Sequence, residues 1–128
     1  LGSYMYVEGR KQKLTGNKTD LEKIKAVINI DTVGSGDKIH SISSKKCVDA
    51  VRSGAKDSGI DVEVREGYDA PQFDGWPFHK EGIPVIHFVV SPYKYFHTPD
   101  DTKEKIEPRF IKDVTELIEK IVDKLDED

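Results

Sequence analysis

A continuous apolar run at residues 84–90, Pro-Val-Ile-His-Phe-Val-Val, is the feature that most constrains the fold of this chain. A strand that is apolar on both of its sides is typical of a sheet with a covering layer on each face. The run therefore predicts a central strand. His87 lies within it, and we expect this side chain to be a buried, hydrogen-bonded core histidine.

The rest of the chain alternates between strand-like and helix-like segments. Strands are predicted at residues 26–31, 38–42 and 61–65, and a helix capped by Ser43 or Ser44 and ending at Gly59 is predicted between the last two. Residues 67–77 are rich in turn-forming residues, and Pro108 suits the first turn of a C-terminal helix. That helix has one apolar stripe, formed by Phe110, Val114, Leu117, Ile121 and Leu125. This order predicts a layered α/β domain with a largely parallel or mixed sheet.

Composition excludes several classes of function. The chain has 128 residues, enough for one domain, and its net charge of −4 disfavours a nucleic-acid partner. No apolar run approaches the length of a membrane span. Cys47 is the single cysteine, and helical spacing predicts that it is a small core residue. Because no disulfide is required, cytoplasmic and secreted locations both stay open. Asn17-Lys18-Thr19 matches the glycosylation pattern, but such triplets are too common to be assigned a role.

Two polar residues follow predicted strands, in the position where α/β sheets gather functional groups. Asp31 closes the strand at 26–31, and His97 lies in the loop after the run at 84–90. A carboxylate and an imidazole are suitable zinc ligands, with bonds of about 2.0–2.2 Å. The alternative is that Asp31 caps a turn or pairs with a basic residue.

Four short segments carry a family resemblance: Asn-Ile-Asp-Thr-Val-Gly at 29–34, Phe-Asp-Gly-Trp-Pro-Phe at 73–78, Gly-Ile-Pro at 82–84 and His-Thr-Pro-Asp-Asp-Thr at 97–102. In this order and spacing they resemble the zinc aminopeptidases of the M28 type. The opening Leu-Gly-Ser resembles the segment that follows the paired-glutamate motif of that family. The resemblance therefore covers nearly the whole chain.

The resemblance implies a fold, an activity and a cofactor. The fold would be a three-layer α/β/α zinc exopeptidase-like domain, with residues 1–128 as the C-terminal part of a single domain. The activity would be that of a dizinc aminopeptidase, which removes amino-terminal residues from peptides with two zinc ions, a bridging carboxylate and a glutamate base. Carried over onto this sequence, the implied metal ligands are Asp31 and His97, the substrate-binding residues are Asp74, Phe78 and Tyr95, and the residues that fix the histidine loop are Asp101 and Thr102.

The sequence departs from the family pattern at several points. Gly75 stands where many relatives have a histidine, and Phe96 stands where some have a tyrosine that donates to the oxyanion, so that role would fall to Tyr95, Tyr93 or no residue. The first histidine, the bridging aspartate and the paired glutamates of the family would all precede Leu1. We therefore expect the isolated chain to be inactive, with an exposed sheet edge covered by the upstream half of the protein or by another copy.

Two alternatives to this hypothesis of an enzyme stay open. The first is a non-catalytic binding or interaction domain that kept the peptidase fold. The second is a stand-alone α/β domain in which Met5 is the true start and the preceding residues are a cloning remnant.

Overall fold

In the computed structural model, which describes residues 1–11, 14–15 and 18–127, helices and strands alternate along the chain. The helices are α1 (Gly2–Lys11), α2 (Lys45–Ser58), α3 (Trp76–Lys80) and α4 (Pro108–Asp126). The strands are β1 (Leu14–Thr15), β2 (Lys18–Thr19), β3 (Val27–Ile30), β4 (Lys38–Ser43), β5 (Val62–Glu66) and β6 (Val85–Ser91). Short 3₁₀ helices occupy Asp20–Lys23 and Lys103–Lys105. Asn17, of the glycosylation-like triplet, lies outside the described residues.

Four strands form a mixed sheet in the order β3–β6–β4–β5. Strand β6 runs parallel to β3 and antiparallel to β4, while β4 and β5 are parallel to each other. The predicted central strand is confirmed, since β6 lies inside the sheet and most of its residues are buried. Strand β3 lies at an edge of this sheet, where Ile30 is half exposed.

One face of the sheet is covered by the two long helices, α2 and α4. Alternate residues of β6 (Ile86, Phe88 and Val90) point to this face and belong to the same buried cluster as Cys47, Val51, Phe110, Val114, Leu117 and Ile121. The two helices approach closely at Gly54, where an added Cβ would lie 3.0 Å from the Cγ1 atom of Ile121. Cys47 is a buried core residue, as its spacing predicted.

The opposite face is covered by the two shorter helices, α1 and α3, and by the segment that follows β5. Val7 of α1 packs with Leu21 and Ile83, and Val85 of β6 packs with Tyr68 and Ala70. Helices therefore lie on both faces of the sheet, and the expected layered α/β fold is confirmed.

The structure departs from the sequence prediction at both shorter helices. Helix α3 lies partly within the stretch at 67–77 that was expected to be turns, and α1 was not predicted. Both are stabilised by tertiary packing; for example, the Tyr6 ring of α1 lies 5.8 Å from the Phe78 ring of α3. No helix in the described part of the chain is both long and apolar enough to cross a bilayer.

Helix α2 begins and ends where the sequence predicts, but its N-cap serine does not make the predicted capping hydrogen bond. Gly59 ends the helix in the left-handed conformation, with φ of 69°. Ser44 occupies the N-cap position, but its hydroxyl accepts a hydrogen bond from the backbone N–H of Val85 at 2.9 Å. The serine therefore joins the helix start to the central strand instead of capping the helix.

Candidate functional site

Asp31 lies directly after β3, at the end of the sheet where β6 also finishes. Its backbone N–H donates to the carbonyl of Phe88 at 3.0 Å, which extends the parallel pairing by one residue. Thr32 then adopts a left-handed conformation, with φ of 48°, and turns the chain. The carboxylate of Asp31 is thus at the carboxyl-end edge of the sheet, and the residue is exposed.

His97 lies in the loop that follows β6, the strand next to β3, six residues beyond the end of β6. It is exposed and adopts a left-handed backbone conformation, with φ of 57°. Its imidazole stacks on the Phe96 ring, with ring centroids 3.8 Å apart. The carbonyl of Tyr95 accepts hydrogen bonds from both the backbone N–H and the hydroxyl of Thr98, at 3.0 and 2.7 Å, which closes a tight turn around the histidine.

The same loop contains Tyr95, Asp101 and Thr102. The carboxylate of Asp101 accepts a hydrogen bond from the hydroxyl of Tyr93, and this bond raises the pKa of Tyr93. The Nζ atom of Lys105 lies 4.6 Å from the centre of the Tyr95 ring. The carbonyl of Thr102 accepts from the N–H of Lys105 at 3.0 Å and so begins the short 3₁₀ helix.

His87 is a buried histidine next to this edge. Its Nδ1 atom lies 2.9 Å from the side-chain nitrogen of Asn29, which is opposite it on β3, and its ring stacks on Phe73 at 4.0 Å. An amide nitrogen only donates, so Nδ1 accepts and the neutral ring carries its hydrogen on Nε2. Among the described residues, Nε2 has no hydrogen-bond partner. The expected burial is confirmed, while the expected hydrogen bonding holds for one ring nitrogen of the two.

The surroundings of His87 connect it to two acidic residues predicted to be functional. Burial lowers its pKa, and the carboxylates of Asp31 and Asp74 oppose that shift. The fold therefore brings Asp31 and Asp74 from distant parts of the sequence to the neighbourhood of one imidazole. The sequence predicted that His87 is in the core but did not predict its nearness to these two acidic residues. The signal available was a titratable residue within an otherwise apolar strand.

Asp74 lies just before α3, near side chains of α1 and of the segment that follows β5. The hydroxyl of Ser3, at the start of α1, donates to its carboxylate at 3.4 Å. Tyr68 lies beneath the segment, and burial, together with the charge of Asp74, raises the pKa of Tyr68 to about 12. Phe78, four residues further on, is partly buried and packs against the buried clusters that contain Ile83 and Val85.

Gly75 is required by this packing. A Cβ atom at this position would lie 2.6 Å from Cγ1 of Val85 and 2.7 Å from the hydroxyl oxygen of Tyr68. Neither atom belongs to a flexible chain end, since both residues are buried. The departure from the family pattern at this position therefore has a structural reason, because Tyr68 and Val85 fill the space that a side chain would need.

The donor chemistry of Asp31 and His97 fits zinc, but two ligands do not complete a site. A catalytic zinc takes three protein ligands and keeps a further position open. Within the described ranges, no group of three or more His, Cys, Asp or Glu side chains converges to hold a metal ion. The described residues thus offer part of a ligand set at the sheet edge.

The chain is similar to one known protein family and to several solved structures. The model of peptidase family M28 matches residues 1–122. An aminopeptidase from Aneurinibacillus sp. strain AM-1 superposes with a TM-score of 0.77 at 20% identity, covering 94% of this chain and 29% of its own. The Legionella pneumophila LapA aminopeptidase superposes with a TM-score of 0.67 at 16% identity, covering 94% of this chain and 34% of its own.

A third similar structure is an Acidobacteriales bacterium glutaminyl cyclase. It superposes with a TM-score of 0.77 at 25% identity, and the match covers 97% of this chain and 45% of the cyclase. The chain therefore spans less than half the length of each of these three solved relatives.

Proposed function

The chain belongs to peptidase family M28, and from this membership we propose that the protein is a zinc-dependent exopeptidase that hydrolyses amino-terminal residues from peptides. The observation that carries the proposal is the placement of Asp31 and His97. Asp31 directly follows β3 and His97 lies in the loop after β6, the adjacent parallel strand, an arrangement that supports a shared site at this end of the sheet. Their donor atoms are those that zinc prefers.

In the complete site, Asp31 would hold one of two zinc ions and His97 the other. Bound zinc supplies Lewis-acid polarisation of the scissile carbonyl. The remaining ligands and the general base would come from outside residues 1–128. Residues 1–128 on their own are therefore inactive.

The other predicted site residues bind and orient the peptide. Asp74 holds the positively charged amino terminus of the substrate, since its carboxylate is exposed and fixed by Ser3. The hydroxyl of Tyr95 donates a hydrogen bond to the carbonyl oxygen of the substrate, and Phe78 contributes apolar contact. Asp101 and Thr102 fix the loop that carries His97. The proposed substrates are peptides, with no nucleic-acid or membrane partner.

The exposed edge of the sheet at β3 supports a larger assembly. Ile30 is 50% exposed there, and an edge strand presents unpaired backbone groups to any strand placed beside it. We propose that the upstream half of the same protein, or failing that a second copy, covers this edge.

The test is an aminopeptidase assay on the full-length protein with zinc and an amino-acid p-nitroanilide. Asp31→Asn and His97→Ala are expected to lower kcat/KM by about 1000-fold or more, because loss of a ligand removes several kcal/mol of charge stabilisation. Asp49→Asn changes an exposed carboxylate on α2 and is the matched control, expected to retain full activity. Retention of kcat/KM within about tenfold in both site variants would contradict the ligand assignment.

Glutaminyl cyclase activity is a second candidate, favoured by the 25% identity to the Acidobacteriales cyclase over 97% of this chain. The two candidates are separated by giving the same enzyme preparation a peptide with amino-terminal glutamine and one with amino-terminal leucine. Release of leucine supports the peptidase, whereas loss of ammonia from glutamine without cleavage supports the cyclase. If neither reaction occurs after zinc reconstitution, the result would support the non-catalytic binding domain.

A further inference from the structure

The loop between β6 and α4 has to hold His97 without help from the sheet. His97 is exposed and has a left-handed backbone, a conformation that persists in a non-glycine residue only when its surroundings impose it. Its ring contact is the stack on Phe96, which is itself more than half exposed. The restraint on His97 therefore has to come from elsewhere in the loop.

Two closures surround the histidine. The inner one is the turn in which Tyr95 accepts from Thr98, and the N–H of Asp101 continues it by donating to the carbonyl of Thr98 at 3.1 Å. The outer one is the hydrogen bond from the Tyr93 hydroxyl to the Asp101 carboxylate, which joins residues eight apart and encloses His97.

Tyr93 also contacts the aromatic residues that flank the inner turn. Its ring lies 6.4 Å from the Tyr95 ring, in an edge-on arrangement, and 6.4 Å from the Phe96 ring. The same side chain therefore touches the carboxylate on the far side of the loop and the ring on which the imidazole of His97 stacks.

We propose that Tyr93 is a positioning residue that acts through Asp101 to hold His97 in the geometry that binds zinc. The inference rests on the proposed function, in which His97 is a ligand. In this proposal Asp101 does not contact the imidazole directly, because the Asp101 carboxylate accepts the hydrogen bond from Tyr93. A loop released from this closure populates the binding geometry for only a fraction of the time, and the apparent metal affinity falls by that fraction.

The experiment measures the zinc dissociation constant of the full-length protein by competition with a chelator at pH 7.5, with zinc as the probe. Tyr93→Phe removes only the hydroxyl and is expected to weaken zinc binding about tenfold, the lower range for loss of an outer contact to a metal ligand. Asp101→Ala is expected to have a similar effect. Asp101→Asn keeps an acceptor oxygen and is expected to retain most of the affinity.

Two controls separate positioning from general destabilisation. Tyr4→Phe removes the hydroxyl of a half-exposed tyrosine on α1 and should leave zinc affinity unchanged. The thermal midpoint of each apo variant should stay at the wild-type value. Combined with Asp101→Ala, Tyr93→Phe should add less than about a twofold further loss, because both changes break the same bond.

The outcomes are distinguishable. A Tyr93→Phe protein whose zinc affinity is within about twofold of the wild type overturns the proposal, and so do fully additive effects of the two substitutions. A wild-type protein that binds no zinc overturns the proposed function itself, and with it the ligand role on which this inference depends.

Discussion

Alternate residues of the central strand β6 enter two very different environments. Ile86, Phe88 and Val90 point into an apolar layer formed with two long helices. Val85 and His87 point to the other face, where His87 meets the amide of Asn29 and the Phe73 ring. One strand thus serves a stabilising face and a face that carries titratable groups.

The difference shows how the fold separates stability from chemistry. The α2–α4 face is mainly apolar, and the two buried serines on it, Ser41 and Ser43, hydrogen-bond to each other at 2.7 Å. Its stability therefore depends mainly on buried area and volume. The opposite face includes a buried polar atom without a hydrogen-bond partner among the described residues, Nε2 of His87. Unpaired buried donors lower stability, and in folded proteins they concentrate where a site needs them.

The largest expected effect comes from the apolar face. Leu117→Ala removes a side chain that is fully buried between α4 and the sheet, and it should lower the free energy of unfolding by about 3 kcal/mol. Ile111→Ala, on the exposed side of the same helix, should change it by less than about 0.5 kcal/mol. Urea denaturation of the full-length protein measures both, and equal effects would refute the assignment of this face as the main core.

A smaller effect is expected on the opposite face, at Gly75. Gly75→Ala forces a methyl group against Val85 and Tyr68, and overpacking of this kind should lower the free energy of unfolding by about 2 kcal/mol. Gly9→Ala is the matched control, because nothing lies within 4 Å of a Cβ there and it is inside α1. That change should stabilise the protein by about 0.5–1 kcal/mol. A stabilising Gly75→Ala substitution, again in urea, would show that the contact at Gly75 relaxes freely.

The smallest effect is a dependence of stability on pH. Burial lowers the pKa of His87, so the unfolded chain binds a proton at this position more readily than the folded chain does. The stability contributed by the neutral ring is present above the unfolded value of about 6.5 and is lost as pH falls below it. Titration of the His87 ring by NMR, together with urea midpoints between pH 7.5 and 5, measures this. His87→Gln should reduce the fall of the urea midpoint as pH decreases. An unchanged fall would show that other groups cause the pH dependence.

Sequence reasoning predicted the elements that have strong local signals. The run at 84–90, the alternation at 38–42 and the stripe of α4 reappear as β6, β4 and the face of α4 that packs on the sheet, because their hydrophobic periods admit one orientation. It also placed Asp31 and His97 after strands. It did not predict α1 and α3, whose helical structure depends on contacts between Tyr6 and Phe78 that are distant in sequence.

For the candidate site, too, the sequence predicted some features and the folded structure was needed for others. The positions of Asp31 and His97 after strands, together with short motifs that resemble those of family M28, predicted Asp31, Asp74 and His97 as site residues. Those motifs carry no information about which groups meet in space. The hydrogen bond between Tyr93 and Asp101, the space at Gly75 filled by Tyr68, and the contact of Ser3 with Asp74 all join segments that only the folded chain brings together.

The sequence by itself determined that this protein is a layered α/β domain with an apolar central strand and zinc-type donors after its strands, since period and side-chain chemistry are local properties. Only the tertiary structure decided the order β3–β6–β4–β5, which makes β3 an edge and puts Asn29 opposite His87. Strand order and register depend on which faces and loops pack together. Such packing is a property of the whole chain, and no single segment encodes it.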